Sequence, residues 1–414
     1  MRRTARSSAG FPTVIGLCAL VVVAEGYDLI VYGTLIPSLL AEPGWNLTKG
    51  TAGTIGSLVY VGMLVGALLS GRLSDRYGRR ALVLTCVGWF LVWTAACALA
   101  DSPLQLGLFR LLAGIGMGGV MPCVLALVKE YTPARRTSLA VTVLMAGVPI
   151  GGSTAALLGI LVLPSHGWRA MFLIGSAISA LILVAAWLLL PESTLFRAAT
   201  VRPPMRALFG RPMILATVLF AVAAFTNLLT WYGLNTWLTT LMRDLDYPLS
   251  SALQFSLTLN VGAILGSFLF AFGGDRFGPR RAALAASVVA AVGIAGTATG
   301  PTAAVVLLAL IAVMGAGAHS ALNLINAAVA EFYPTAIRAT ALGWSNGIGR
   351  IGAIASPWLG GVVLSSGADP TTLFWVFAAS AATSAVVLAI LITATPRTVD
   401  PSDTADIPSA ALAH

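Results

Sequence analysis

Long apolar runs, each closed by a short break rich in Gly, Pro or charge, follow one another along nearly the whole chain. A window of about 19 residues places them near 11–40, 51–71, 80–100, 103–129, 137–163, 168–190, 213–242, 251–272, 281–299, 301–330, 337–366 and 371–394. A helix crossing the apolar core of a bilayer needs about 20 mostly apolar residues. The pattern therefore predicts an all-α membrane protein of about 12 transmembrane helices. These runs use most of the 414 residues, so no separate soluble catalytic or binding domain is expected.

Composition and charge extend that picture. Hydrophobic residues make up 58% and charged residues 9% of the chain, with a mean hydropathy of +0.91, far from the range of soluble domains. Most of the 24 Lys and Arg fall in segments that are cytoplasmic if both chain ends are, while only Lys49, Arg169 and Arg243 fall in outer loops. The positive-inside rule then predicts cytoplasmic termini and a multi-pass protein of the inner (plasma) membrane. The net charge of +9 follows from this topology and from contact with anionic head groups, and points to no nucleic-acid partner. The basic start MRRTARSSAG is followed by an apolar stretch from Phe11 to about Leu40 without a small-residue cleavage site; it reads as a retained first helix. Cys18, Cys86, Cys97 and Cys123 lie inside apolar runs without ligand-like spacing, so they read as small apolar filler, with no disulfide framework and no zinc site.

The sequence also repeats itself. "GRLSDRYGRR" at 71–80 returns as "GGDRFGPRR" at 273–281, aligning Asp75 with Asp275, Arg76 with Arg276 and Gly78 with Gly278 at an offset of 200. "KEYTPARRTS" at 129–138 returns as "AEFYPTAIRAT" at 330–340, aligning Glu130 with Glu331 and Pro133 with Pro334 at an offset of 201. Two matches at nearly one offset predict two six-helix halves in parallel repeat, with a substrate path where the halves meet. The expected organisation is a cytoplasmic tail 1–10, a first half 11–190, a basic linker 191–212, a second half 213–394 and a cytoplasmic tail 395–414.

The loop "GRLSDRYGRR" resembles the signature loop of the major facilitator superfamily, and the resemblance extends over essentially the whole chain. Within that superfamily the chain is similar to the aromatic acid/proton symporters at Glu25-Gly26-Tyr27-Asp28, "FRLLAGIGMGGVMP" (109–122), "KEYTPARR" (129–136) and "GWSNGIGRIGAIASPWLGG" (343–361). The family pattern usually opens with Asp where this chain has Glu25, which keeps the charge on a longer side chain. The resemblance implies a major facilitator fold and proton-coupled import of aromatic carboxylic acids of the benzoate or hydroxybenzoate type, without enzymatic activity. The proton is the coupling ion, no cofactor is required, and the working unit is a monomer in the bilayer.

A charge at bilayer depth costs at least about 2.5–3.5 kcal/mol, so ionisable groups there face a wet cavity or a partner. Glu25 and Asp28, at i and i+3, share a helix face. Two carboxylates so close in a low dielectric resist ionising together, which is what a proton-coupling site requires. Asp28 is the expected proton carrier and Glu25 its partner in charge; the alternative is that both only pair with Arg110 to lock the first half. By resemblance, Arg110 neighbours these acids and answers their protonation. Its position near a span end also allows it to snorkel to the outer interface.

In the second half Arg350 stands at mid-span among Gly347, Gly349 and Gly352. Its guanidinium fork suits a substrate carboxylate, against the alternative of an internal ion pair. His319, with Asn323 one turn on and Ser320 and Asn326 nearby, puts polar groups on one span, as a lined cavity would. Asn227, Trp231 and Asn235 recur every four residues on one face, able to stack a ring and bond its hydroxyls, and Trp344 joins the expected substrate-binding set. Trp237 and Tyr232 read equally well as interfacial belt residues. Asp75, Arg76, Arg79, Arg80, Glu130, Asp275, Arg276 and Glu331 sit at cytoplasmic helix ends and are expected to form gating charge networks, with Glu130 and Glu331 paired to the loop arginines. Proton antiport of drugs or metabolites, and symport of a non-aromatic organic acid, remain as alternatives. The fifth run carries "GVPIGG" (147–152), with one residue between Pro149 and the Gly pair where the antiporter motif has two.

Overall fold

A computed structural model describes residues 10–133, 136–193, 205–210, 213–300 and 303–395, apart from the side chains of Arg72, Asp75 and Ala207. The tails up to residue 9 and from 396, the linker residues 194–204, 211 and 212, and the side chain of the expected gate residue Asp75 lie outside the described residues. Among those described, eleven helices are long and apolar enough to cross a membrane. They are α1 (Phe11–Leu40), α2 (Lys49–Tyr77), α3 (Arg79–Cys97), α4 (Pro103–Tyr131), α5 (Thr137–Leu189), α6 (Ile214–Asp244), α7 (Leu249–Phe277), α8 (Pro279–Ala298), α9 (Ala304–Phe332), α10 (Thr335–Ser365) and α11 (Pro370–Ala394).

The difference from the twelve apolar runs lies in α5. Its 53 residues would extend about 80 Å as one straight helix, against about 30 Å of hydrocarbon. Gly167 interrupts it with φ 70° and ψ −176°, a conformation open to a residue without Cβ. Two helical limbs, 137–166 and 168–189, result, matching the two runs read from hydropathy. Elsewhere the starts are written locally: the Ser102 hydroxyl accepts from the Gln105 amide ahead of Pro103, and the Asp369 carboxylate accepts from the Thr371 amide ahead of Pro370. Both follow the preference for a short polar cap with proline in the first turn.

The described helices fall into two compact units, one built on residues up to 199 with 249–257, the other on 200–248 with 258 onward. In the first, α1 packs along α5, α4 lies against α2 and α3, and α3 also touches α5. In the second, α6 packs along α10, α9 lies against α8, and α11 touches α6 and α8. Closely packed glycines repeat between the units. A Cβ on Gly114 would lie 2.1 Å from the Val59 carbonyl oxygen, and one on Gly315 would lie 2.0 Å from that of Leu259. Gly116 likewise lies against Cys86 and Phe90, and Gly317 against Ala286 and Ala290. Small residues that let backbones touch are how helices associate where lipid removes the hydrophobic drive. The offsets, 200 along α2/α7 and α3/α8 and 201 along α4/α9, are those of the loop motifs.

Candidate functional site

The first unit holds a closed polar cluster. Asp28 on α1 is 2% exposed and Arg110 on α4 is 1% exposed. Arg110 Nη1 donates to Asp28 Oδ1 at 2.8 Å and to the Asp28 backbone oxygen at 2.8 Å. The Thr94 hydroxyl, from α3, donates to Asp28 Oδ2. The Arg110 guanidinium lies 5.2 Å from the Tyr32 ring centroid, a cation–π contact in dry surroundings. Tyr32 is anchored by its hydroxyl on the Ala52 carbonyl at 2.7 Å, and Tyr27 on that of Met171 at 2.8 Å. Glu25, 1% exposed, lies one turn before Asp28. Arg110 does not snorkel: it is enclosed and directed at the acid it was expected to neighbour. The α1 backbone here is clamped on α5, since a Cβ on Gly26 would fall 2.4 Å from the Val148 carbonyl oxygen.

The second unit holds amides and aromatics. Trp231 on α6 and His319 on α9 are both buried, with ring centroids 4.8 Å apart. Asn227 Nδ2 donates to the Ala318 carbonyl at 3.1 Å, Asn235 Nδ2 to that of Trp231 at 3.0 Å, and Asn260 Nδ2 of α7 to Asn235 Oδ1 at 3.2 Å. Among the described residues Asn227 Oδ1 and Ser320 Oγ are buried without a hydrogen-bond partner, unusual for native polar atoms. Asn323 is half-buried one turn from His319, and Arg350 is half-buried on α10 beside Gly349, which packs on α6. Asn346 donates to Asn326 at 3.0 Å. Trp237 is not a belt residue: it is 0% exposed and its indole N–H donates to the Pro357 carbonyl at 3.1 Å. Trp344, half-buried, stacks edge-on against Phe209 at 5.2 Å and packs against the core around Phe220 and Tyr333, not on the Trp231–His319 pair.

The loop residues separate sharply. Arg79 is ion-paired with Glu130, whose carboxylate also accepts from the Ser193 hydroxyl at 2.7 Å. Arg80 clamps the end of α5, donating to the carbonyl oxygens of Leu190 at 2.6 Å and Trp187 at 2.5 Å, while its amide donates to Glu192 at 3.1 Å. Arg76 is exposed, with its guanidinium 5.3 Å from the Tyr77 ring. In the second unit Asp275, Arg276 and Glu331 are exposed, and among the described residues Glu331 forms no ion pair, contrary to the expected pairing. The reason lies in the sequence: the residue aligned with Arg79 is Pro279. The counterpart of Arg80 survives as Arg280, which reaches the Thr395 hydroxyl at 3.3 Å and lies 4.9 Å from the Phe332 ring.

Three groups were missed in the sequence. Thr94 and Asn260 are uncharged polar residues inside apolar spans, Thr94 in "FLVWTAAC" and Asn260 after Ser256 and Thr258, and no motif sets either apart. The third is a network outside the spans. Glu42, just past α1, accepts from Arg169 Nη1 at 2.7 Å and Trp168 Nε1 at 2.8 Å, and Arg169 lies 4.2 Å over the Trp168 ring. Partial burial raises the Glu42 carboxyl, but the hydrogen bonds from Arg169 and Trp168 outweigh it and hold the group below its ordinary range.

A two-unit bundle of long apolar helices with a buried Asp–Arg pair describes a polytopic membrane transporter, not an enzyme. Residues 18–274 and 258–411 match the family description "Major Facilitator Superfamily", and the chain belongs to that superfamily. It is similar to the gentisate transporter of Corynebacterium glutamicum, with 42% identity covering 90% of this chain and 85% of that protein. It also resembles the benzoate transport protein of Acinetobacter baylyi, with 34% identity over 85% of this chain and 83% of that protein. A 4-hydroxybenzoate transporter of Pseudomonas putida is 30% identical, with 86% of each chain covered. Among solved structures a D-xylose-proton symporter shares the fold, with a TM-score of 0.75 at 17% identity over 93% of this chain and 98% of that one.

Proposed function

We propose that this protein is a proton-coupled importer of aromatic carboxylic acids, of the benzoate or hydroxybenzoate type, working by alternating access. The observation that carries the reading is the fully enclosed Asp28–Arg110–Thr94 cluster. A buried ion pair contributes little net stability, and intramembrane ionisable groups are by default functional. Asp28 takes the proton, Glu25 adds a second negative charge on the same face, and Arg110 answers the change. Arg350 anchors the substrate carboxylate through a bidentate fork. The ring stacks on Trp231 beside His319, and ring hydroxyls bond Asn227 Oδ1 and Ser320 Oγ, both buried without a hydrogen-bond partner among the described residues. Asn235 and Asn323 complete the lining. The relatives, transporters of gentisate, benzoate and 4-hydroxybenzoate, support this substrate class.

The remaining parts of the proposal follow from topology. The chain makes twelve crossings of the plasma membrane, with α5 contributing two and both termini cytoplasmic. It works as a monomer, since one chain carries both the acid cluster and Arg350, and needs no cofactor beyond the proton. Arg79 with Glu130, and Arg76, Asp75, Asp275 and Arg276, set the gating equilibrium. The test is uptake of a labelled panel of benzoate, gentisate, 4-hydroxybenzoate and a non-aromatic dicarboxylate by cells expressing the chain, with and without a protonophore. Protonophore-sensitive accumulation of an aromatic acid is expected. Accumulation that survives collapse of the gradient removes proton coupling, and energised export without uptake makes the protein an antiporter.

A further inference from the structure

Threonines inside these helices mostly turn the hydroxyl back on their own backbone. Thr85 donates to Ala81, Thr297 to Gly293 and Thr383 to Ala379, each four residues earlier and at 2.8–2.9 Å. Thr94 is the exception on α3, because its buried hydroxyl leaves the Phe90 carbonyl alone and donates across to Asp28 Oδ2. This matters because the two donors on Asp28 differ in kind. A guanidinium has no acceptor, so Arg110 can donate to Asp28 but cannot accept the O–H of its protonated form. A hydroxyl carries one proton and two lone pairs and can serve either protonation state.

We propose that Thr94 is the positioning residue of the proton site, a hydrogen-bond rotor that donates to the Asp28 carboxylate and accepts from the Asp28 carboxylic acid. The inference rests on the reading of Asp28 as proton carrier. When Asp28 gains a proton, its new O–H donates to Thr94 Oγ1, and the threonine proton swings to the Phe90 carbonyl, the i−4 bond that Thr85 and Thr297 already make. Neither the Asp28 carboxyl oxygen facing α3 nor the Thr94 hydroxyl is left without a partner in either state. Arg110 keeps its 2.8 Å bond to the Asp28 backbone oxygen throughout, so the guanidinium stays in place while the carboxyl changes charge. The ionisable groups around Asp28 include Arg110 from α4, Cys97 from α3, and Glu25, Tyr27 and Tyr32 on α1 itself. On α5 the charged residue at this side of the bundle, Arg169, is engaged by Glu42 outside the span.

The test reads the carboxyl directly and needs no substrate. Infrared difference titration of the purified full-length protein in lipid follows the protonated-carboxyl band of Asp28, assigned by its disappearance in Asp28→Asn. Thr94→Val removes donor and acceptor at nearly constant shape. The band is expected to move to higher frequency, with a titration midpoint about one pH unit higher, a tenfold change in proton affinity. Thr94→Ser, which keeps the hydroxyl, restores both. If Thr94→Val does not fold, Thr94→Ala gives the same comparison. An Asp28 band that Thr94→Val and Thr94→Ala leave at the parent frequency and midpoint overturns the rotor and spares the proton site. No band sensitive to Asp28→Asn overturns both.

Discussion

The two units share a way of packing and differ in what the packing encloses. Gly114 on Val59 and Gly315 on Leu259 are the same crossing made twice, as are Gly151 against Val23 of α1 and Gly352 against Phe225 of α6. In that register Glu25 falls on Asn227, Asp28 on Thr230, Thr94 on Ile294 and Arg110 on Ile311. Every ionisable member of the first cluster is neutral in the second. Conversely His319, which faces Trp231, stands where the first unit has Gly118 packed tightly on Met63. A duplicated scaffold thus holds charge in one copy and an aromatic, amide-lined surface in the other. A buried carboxylate needs a dedicated counter-charge in a fixed place, whereas a ring needs apolar area and a few unsatisfied polar atoms.

The sharpest way to break this comparison is to remove one side of the ion pair. Arg110→Met leaves Asp28 buried without its counter-charge and is expected to cost about 3–5 kcal/mol, read as a lowered thermal midpoint of the detergent-purified protein. The aligned Ile311→Met, a volume-conserving swap, costs under about 1.5 kcal/mol. Equal losses at the two positions would mean that the pair is ordinary packing. Next come the shared crossings: Gly114→Ala and Gly315→Ala each force backbones apart and destabilise by about 1–3 kcal/mol, and the two values should agree. A large asymmetry in the same thermal assay would show that the repeat does not extend to energetics.

Smaller effects separate the chemistry of the units. Trp231→Phe keeps a ring and loses the wider indole face, for about 0.5–1.5 kcal/mol; initial-rate uptake should show a severalfold higher KM with the pH dependence of transport unchanged. A shifted pH profile would couple the second unit to the proton. The smallest effect belongs to Glu42. Its folded carboxyl is held low by Arg169 and Trp168 after burial is outweighed, so the stability it adds is present above its unfolded value, about pH 4, and is lost as pH falls through the lower folded value. The pair is partly exposed, which limits it to under about 1 kcal/mol. Glu42→Gln should lower the melting temperature slightly at pH 7, where the ionised pair is present, and flatten the acid limb of the profile, so that variant and parent converge as pH falls below the folded value.

Much of this organisation is legible in the sequence. Hydropathy gives the helices because lipid demands an unbroken apolar length, and it separates the limbs of α5 even though the helix runs on to Gly167. The 200- and 201-residue offsets carry through to individual glycine contacts. What is not legible is direction. Trp237 and Trp344 both lie within long apolar helices, yet one is sealed by a bond to Pro357 and the other rests on Phe209, because packing fixes which face turns inward. Arg110 near a span end is compatible with snorkelling until α1 is seen across from it. Thr94 gives no sign in "FLVWTAAC" that its hydroxyl abandons its own helix. That Glu331 forms no ion pair among the described residues, by contrast, is written plainly in the replacement of Arg79 by Pro279.

The central claim is that the first unit carries the proton and the second reads the ring. It is tested most directly by the protonophore-sensitive accumulation of a labelled aromatic acid in Asp28→Asn, measured beside counterflow exchange of the same acid. The account predicts that accumulation is abolished while exchange, which needs the binding surface but no net proton movement, continues. An Asp28→Asn protein that still concentrates the acid against its gradient contradicts it.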